Sequence, residues 1–144
     1  MSMVDISDKP ETSREATATG IIRLKPETVK LIQQGKIVKG DPINTAKVAG
    51  IVAAKKTSAL IPLCHHLALT NVQVDVTIED NKTLRVTAKV KTKASTGVEM
   101  EALTATSVSL LTIWDMVKQY EKDVEGQYPS TAIEDLHVVR KIKK

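Results

Sequence analysis

The stretch from Val72 to Val90 constrains the fold more than any other part of the chain. Val72, Val74, Val76 and Ile78 alternate with Gln73, Asp75 and Thr77, and Leu84, Val86, Ala88 and Val90 repeat the pattern. A side-chain period of two belongs to strands with one buried face. The polar segment Glu79 to Lys82 between the two runs reads as a turn. The pair is therefore a β-hairpin whose apolar side needs a cover.

Helical segments on both sides of the hairpin supply that cover. The segment PETVKLIQQGK, Pro26 to Lys36, reads as a short helix with proline at its first position, closed by Gly35 at the C′ position. Asp41 before Pro42 is a helix N-cap followed by proline at N1, which predicts a helix over 42–57. Ile43, Ala46, Val48, Ala49, Ile51, Val52, Ala53 and Ala54 leave this helix apolar on most sides. Such a helix is buried, or is covered by another subunit, and its alanines and Gly50 permit close approach. Thr96 and Glu99 have the spacing of a capping box. Met100, Leu103, Ser107, Leu110, Leu111, Trp114 and Val117 then follow at helical intervals, predicting a long helix that ends between Asp123 and Gly126.

Thr17 to Leu24 and the tail from Thr131 read as further strands, giving the order β, α, α, β, β, α, β. This order predicts an α+β fold: a ferredoxin-like antiparallel sheet with helices packed on one face, plus an extra N-terminal strand/helix. A chain of 144 residues suits one domain, read as a polar arm over 1–16 and a ferredoxin-like α+β domain over 17–144.

Composition narrows the function classes. With no Phe, one Trp and two Tyr, the chain offers almost no aromatic platform for stacking bases, and a net charge of +4 is only mildly basic. Both weigh against nucleic-acid binding. The start of the chain has no apolar signal core, and no apolar run approaches a membrane span. A single cysteine permits no internal disulfide and suits a reducing compartment. The expectation is a cytoplasmic protein with no membrane partner.

Four patterns carry chemistry. Cys64, His65 and His66 stand together, but adjacent residues rarely converge on one ion and His137 is remote, so no metal site is expected. The same triplet reads either as a packed loop entering the hairpin or as a histidine presented for acid–base or phosphate contact. Asp115 and Lys118, three apart on a helix, form either a surface ion pair or a partly desolvated proton donor–acceptor pair at the edge of the core. Glu99 is the partner in the capping box, and Glu101 has solvent exposure in the first helical turn as its default. Lys39 lies at the mouth of a helix N-terminus, a favourable place for an anion, and Arg14, Lys47, Lys55 and Lys56 add positive charge. There is no P-loop motif. Residue types alone reach a small α+β domain for an anionic small molecule.

Longer motifs reach further. MVDIS-K-ET-REA over 3–16, KGD over 39–41, AGI-AAKKT over 49–57, IPLCHHL over 61–67 and TGVEMEALTA-SVS-LTI-DM-K over 96–118 occur in one order. In this the chain resembles the cyclic pyranopterin monophosphate synthases, the accessory protein C family of molybdenum cofactor biosynthesis. The resemblance implies conversion of (8S)-3′,8-cyclo-7,8-dihydroguanosine 5′-triphosphate to cyclic pyranopterin monophosphate with release of diphosphate. That is a lyase reaction of the phosphorus–oxygen type. It implies no cofactor, although Mg²⁺ is compatible with the substrate's triphosphate. It implies Asp115, Lys118 and Lys39 as catalytic residues, and Cys64, His65, Glu99, Glu101, Lys55 and Arg14 as substrate-binding residues. It also implies a homo-oligomer, a hexamer built as a trimer of dimers with pockets between subunits. Two departures from the family pattern stand out. His66 replaces the usual proline, and the Gly-rich tail is replaced by HVVRKIKK, whose Arg140, Lys141, Lys143 and Lys144 remain as a source of charge.

Overall fold

The computed structural model describes residues 1–144. Its elements are β1 (Thr12–Arg23), α1 (Pro26–Gln33), α2 (Pro42–Lys55), the single turn α3 (Thr57–Leu60), β2 (Leu69–Asp80), β3 (Thr83–Ala94), α4 (Glu99–Glu121) and β4 (Ala132–Lys143). The four strands form one sheet in the order β2-β3-β1-β4, and each neighbouring pair is antiparallel. Two β-α-β connections around a central hairpin give this arrangement, which is the ferredoxin-like α+β pattern. The elements beyond the minimal pattern are α1, inserted between β1 and α2, and the single turn α3; the sheet has four strands, so the extra N-terminal element is a helix and not a strand.

The hairpin lies where its alternation places it. Val72 opposes Val90, Val74 opposes Ala88 and Val76 opposes Val86. Val74, Val76, Val86, Ala88 and Val90 are all buried under α2 and α4. The inward residues of β1 are small, Ala16, Ala18 and Gly20, and Ile22 closes the row. A Cβ on Gly20 would stand 2.9 Å from Leu110 Cδ1, so α4 rides directly on this strand. The buried apolar core contains no aromatic side chain, in keeping with the composition.

Helices α2 and α4 pack antiparallel through small residues. Ser109 Oγ donates to the Ala46 carbonyl at 2.8 Å. One turn further along, a Cβ on Gly50 would meet Ser109 Oγ at 2.3 Å and the Ala105 carbonyl at 3.1 Å. The Asp41 end of α2 therefore lies by the C-terminal half of α4, and the Lys55 end lies by Glu101. Facing away from the sheet, Val48, Val52 and Leu111 are 62%, 43% and 57% exposed, so the outward side of α2 is bare in a single chain.

Several boundaries differ from the sequence expectation. Strand β1 begins at Thr12, not Thr17, so residues 12–16 of the expected arm are sheet. The polar side chains of Thr12 to Glu15 hide the strand from hydrophobic patterning, but the backbones of residues 12–16 pair with Val90 to Ala94 and, from Arg14 on, with the end of β4. The predicted helix over 42–57 ends at Lys55, and Thr57 opens a separate turn. Helix α4 stops at Glu121, short of Asp123. The expected capping box is absent: the N-cap is Val98, with no side-chain cap, and Glu99 is engaged by Lys141 instead.

Candidate active site

Lys39, Asp115 and Lys118 come together. Asp115 and Lys118 lie three residues apart on α4, and their side chains meet at 3.3 Å. Lys39 arrives on the turn between α1 and α2. Its Nζ donates to Asp115 Oδ2 at 3.1 Å and to the Asp115 carbonyl at 3.0 Å. The turn is set by Gly35 at φ 68 and Gly40 at φ 123, left-handed positions that glycine occupies freely. Ile37 is buried beneath it, and Asp41 then caps α2 through the Ile43 and Asn44 amides.

The Lys39 hydrogen bond, and then that of Lys118, hold the Asp115 carboxyl below the usual aspartate value. Asp115 is thus an anion clasped by two ammonium groups. The cluster is open to water, with side-chain exposures of 41%, 59% and 44% for Lys39, Asp115 and Lys118. Of the two alternatives the sequence left open, a surface ion pair or a pair at the edge of the core, the structure shows the first, because Asp115 points outward between the buried Ile113 and Met116.

A second group gathers at the opposite end of α4. A hollow of about 330 Å³ is lined by Cys64, His65, Gly97, Glu99, Met100 and Glu101, among others. Glu101 is only 3% exposed, against the expectation of an exposed first-turn carboxylate. The loop over 61–68 closes over it, and Cys64 Sγ lies 3.8 Å from its Oε2. Its Oε1 is buried without a hydrogen-bond partner. Burial, and the charge of Glu99 after it, push the Glu101 carboxyl up. Burial also lifts the Cys64 thiol, and the Glu101 charge adds to it, so Cys64 is a poor thiolate.

Burial is the strongest single influence on Glu99 and presses it upward, but the 2.7 Å ion pair with Lys141, the Glu99 backbone amide and the Arg14 charge together turn the net direction down. Two carboxyls two residues apart are thereby driven in opposite directions, the arrangement that divides proton donor from proton acceptor.

His65 Nε2 lies 2.7 Å from the Val4 carbonyl. A carbonyl only accepts, so Nε2 carries the proton and Nδ1 is left free. His66 turns to Ser58 Oγ at 3.2 Å and takes no part in the hollow. The Arg14 charge acts on Glu99, and its Nε is buried without a partner. Lys55, at the end of α2, makes no ion pair.

Nine residues singled out from the sequence therefore fall into two groups. Lys39, Asp115 and Lys118 occupy one end of α4. Cys64, His65, Glu99, Glu101, Arg14 and Lys55 occupy the other, about 20 Å away at the helical rise. Lys141 was named in the sequence only as one of four basic tail residues. Its register opposite Ala16, whose side chain faces α4, carries it to Glu99. The tail that departs from the Gly-rich pattern is thus the end of a strand.

The MoaC family profile matches residues 3–143. The chain belongs to the MoaC family. Relatives agree along almost the whole length. A Saccharolobus solfataricus protein named probable cyclic pyranopterin monophosphate synthase is 59% identical over 142 residues, 99% of this chain and 95% of that one. A Pyrococcus abyssi protein of the same name is 56% identical over 144 residues, 99% of this chain and 89% of its own. One from Thermococcus kodakarensis is 53% identical over 143 residues, covering 99% and 91%. Both side-chain groups lie inside the matched span. No helix of the chain is long and apolar enough to cross a membrane.

Proposed function

We propose that this MoaC family chain is a cyclic pyranopterin monophosphate synthase and acts as a diphosphate-releasing lyase. Its substrate is the cyclised dihydro-GTP, (8S)-3′,8-cyclo-7,8-dihydroguanosine 5′-triphosphate. The reaction opens and rebuilds the guanine-derived ring. A hydroxyl then attacks the α-phosphorus, and diphosphate leaves as the cyclic phosphate closes. The ring steps need proton transfer, and the leaving diphosphate needs positive charge. The observation that carries the reading is the clasp of Lys39 and Lys118 on Asp115, drawn together across 76 residues of sequence.

In this reading Lys118 is the general acid and base, and Asp115 orients it. Lys39 serves beside them. His65, Lys55 and Arg14 contact phosphate or ring oxygens, and Glu101 takes the edge of the base. The two groups lie too far apart for one small substrate to bridge within a chain. A single hollow of about 330 Å³ is also at the small end of ligand sites.

We propose that copies of the chain complete the site. A two-fold axis crossing the middle of the α2–α4 layer would set the Asp115 end of one copy against the Glu101 end of its partner. The bare Val48, Val52 and Leu111 are the surface such an axis would cover. A hexamer, as a trimer of such dimers, fits the same reading.

The test is to supply the cyclised dihydro-GTP and measure diphosphate. Wild-type protein releases it, and Lys118→Ala does not, although it folds and assembles normally. Lys118→Ala and His65→Ala, each inactive alone, recover about a quarter of the wild-type sites when co-expressed, because random pairing leaves that share intact. No diphosphate from well-folded wild-type protein rejects the enzyme reading. Activity of wild type with no recovery in the mixture rejects the shared site.

A further inference from the structure

Lys39 reaches Asp115 from the turn between α1 and α2. The Val38 side chain is 78% exposed, so its packing contributes almost nothing to placing the turn. Ile37 is buried, and the Gly40 amide closes the turn by donating to the Ile37 carbonyl at 3.1 Å. Ile37 belongs to the core cluster and roots the base of the turn, which leaves its outer half, with Lys39, to be held against α4. One backbone hydrogen bond does that: the Val38 N–H donates to the Tyr120 phenol oxygen at 2.9 Å.

Tyr120 is one helical turn beyond Met116, and i,i+4 residues share a face. Met116 Cε lies 3.9 Å from where a Cβ on Gly40 would project. Met116 and Tyr120 thus form the seat of the turn, beside the Asp115–Lys118 edge. The Val38 amide is one residue from Lys39, whose Cα follows that of Val38 at about 3.8 Å, so anchoring it limits the arc the lysine can sweep.

We propose that Tyr120 is a positioning residue for Lys39: its phenol oxygen holds the Val38 amide and thereby sets the turn that delivers the ammonium to Asp115. The inference rests on the reading of Lys39 as a working part of the site. It adds a residue that touches neither substrate nor the reacting atoms. Tyr120 acts from the Lys39 end of α4, so it does not depend on how copies assemble.

Tyr120→Phe removes the acceptor and keeps the ring. Water can replace the lost bond at this exposed amide, so the expected effect is about a three- to tenfold fall in kcat, with KM within about twofold of wild type. A structural role alone would not move a second readout, the titration of Asp115 followed by carboxyl NMR. With Lys39 less well placed, the Asp115 titration moves upward in Tyr120→Phe, part of the way to its position in Lys39→Ala. The double variant loses no more activity than Lys39→Ala alone, because both changes act through one ammonium.

Unchanged kcat and an unchanged Asp115 titration in folded Tyr120→Phe overturn the proposal, as does a double variant well below Lys39→Ala. Should Lys39→Ala itself retain full turnover, the catalytic reading of Lys39 fails. The Asp115 titration in Tyr120→Phe still decides in that case whether Tyr120 places the lysine.

Discussion

Glu121 is completely buried at the last residue of α4 and serves three donors. The Lys25 amide donates to its two oxygens at 3.2 and 3.1 Å. Thr131 Oγ1 donates at 2.6 Å, and Thr28 Oγ1 donates as well. Lys25 is the N-cap of α1 and has no side-chain cap of its own. The carboxylate therefore caps α1 from 96 residues away and ties it to the start of β4. Glu121→Ala orphans the three donors and leaves a void. Each buried orphan costs about 1–3 kcal/mol, but the two hydroxyls can turn to other acceptors, so only the amide bears the full penalty. With the cavity included, the loss comes to about 3–5 kcal/mol. Glu121→Gln keeps the shape and the acceptor for the amide. One threonine must then accept where it donated, at a cost of about 1–2 kcal/mol. Urea unfolding at fixed protomer concentration reads the difference as a fall in midpoint with unchanged slope, and the alanine variant should melt about 10–15 °C lower. An alanine variant within about 1 kcal/mol of wild type, or a glutamine variant as damaged as alanine, refutes the reasoning.

Two further outcomes are expected. Gly50→Ala should destabilise the chain by about 2 kcal/mol despite the better helix propensity of alanine, because its Cβ meets the Ser109 hydroxyl and the Ala105 carbonyl; a melting temperature at or above wild type contradicts the close α2–α4 approach. Iodoacetamide should alkylate Cys64 slowly at neutral pH and faster as pH rises beyond the ordinary thiol range. A raised thiol value means less thiolate at every pH below it. Glu101→Gln, which removes the neighbouring charge, should speed the reaction at a given pH, and mass-spectrometric labelling that is rapid at neutral pH in wild type would contradict the assignment.

The sequence by itself determined what depends on near neighbours. The hairpin over 72–90 was legible because a period of two needs only consecutive residues. The entry to α2 was legible because Asp41 and Pro42 act within one turn, and the Asp115–Lys118 contact because i,i+3 residues meet on any helix. The long motifs implied that distant residues share one site; within the chain they stand in two groups at opposite ends of α4.

Tertiary structure decided everything that depends on what lies opposite. Glu101 looks solvent-directed in its first turn but is buried, with Cys64 of the 61–68 loop against its carboxyl. Thr12 to Glu15 look like an arm and are strand because flanking backbones pair with them whatever their side chains. Tyr120 and Glu121 carry no motif, since their partners Val38, Lys25 and Thr28 are more than 80 residues away and only packing introduces them. The separation of the site residues to the two ends of α4 follows from its rise, about 1.5 Å per residue, and from the antiparallel run of α2 beside it. Local chemistry is written in sequence; distance and burial arise only when elements settle against one another.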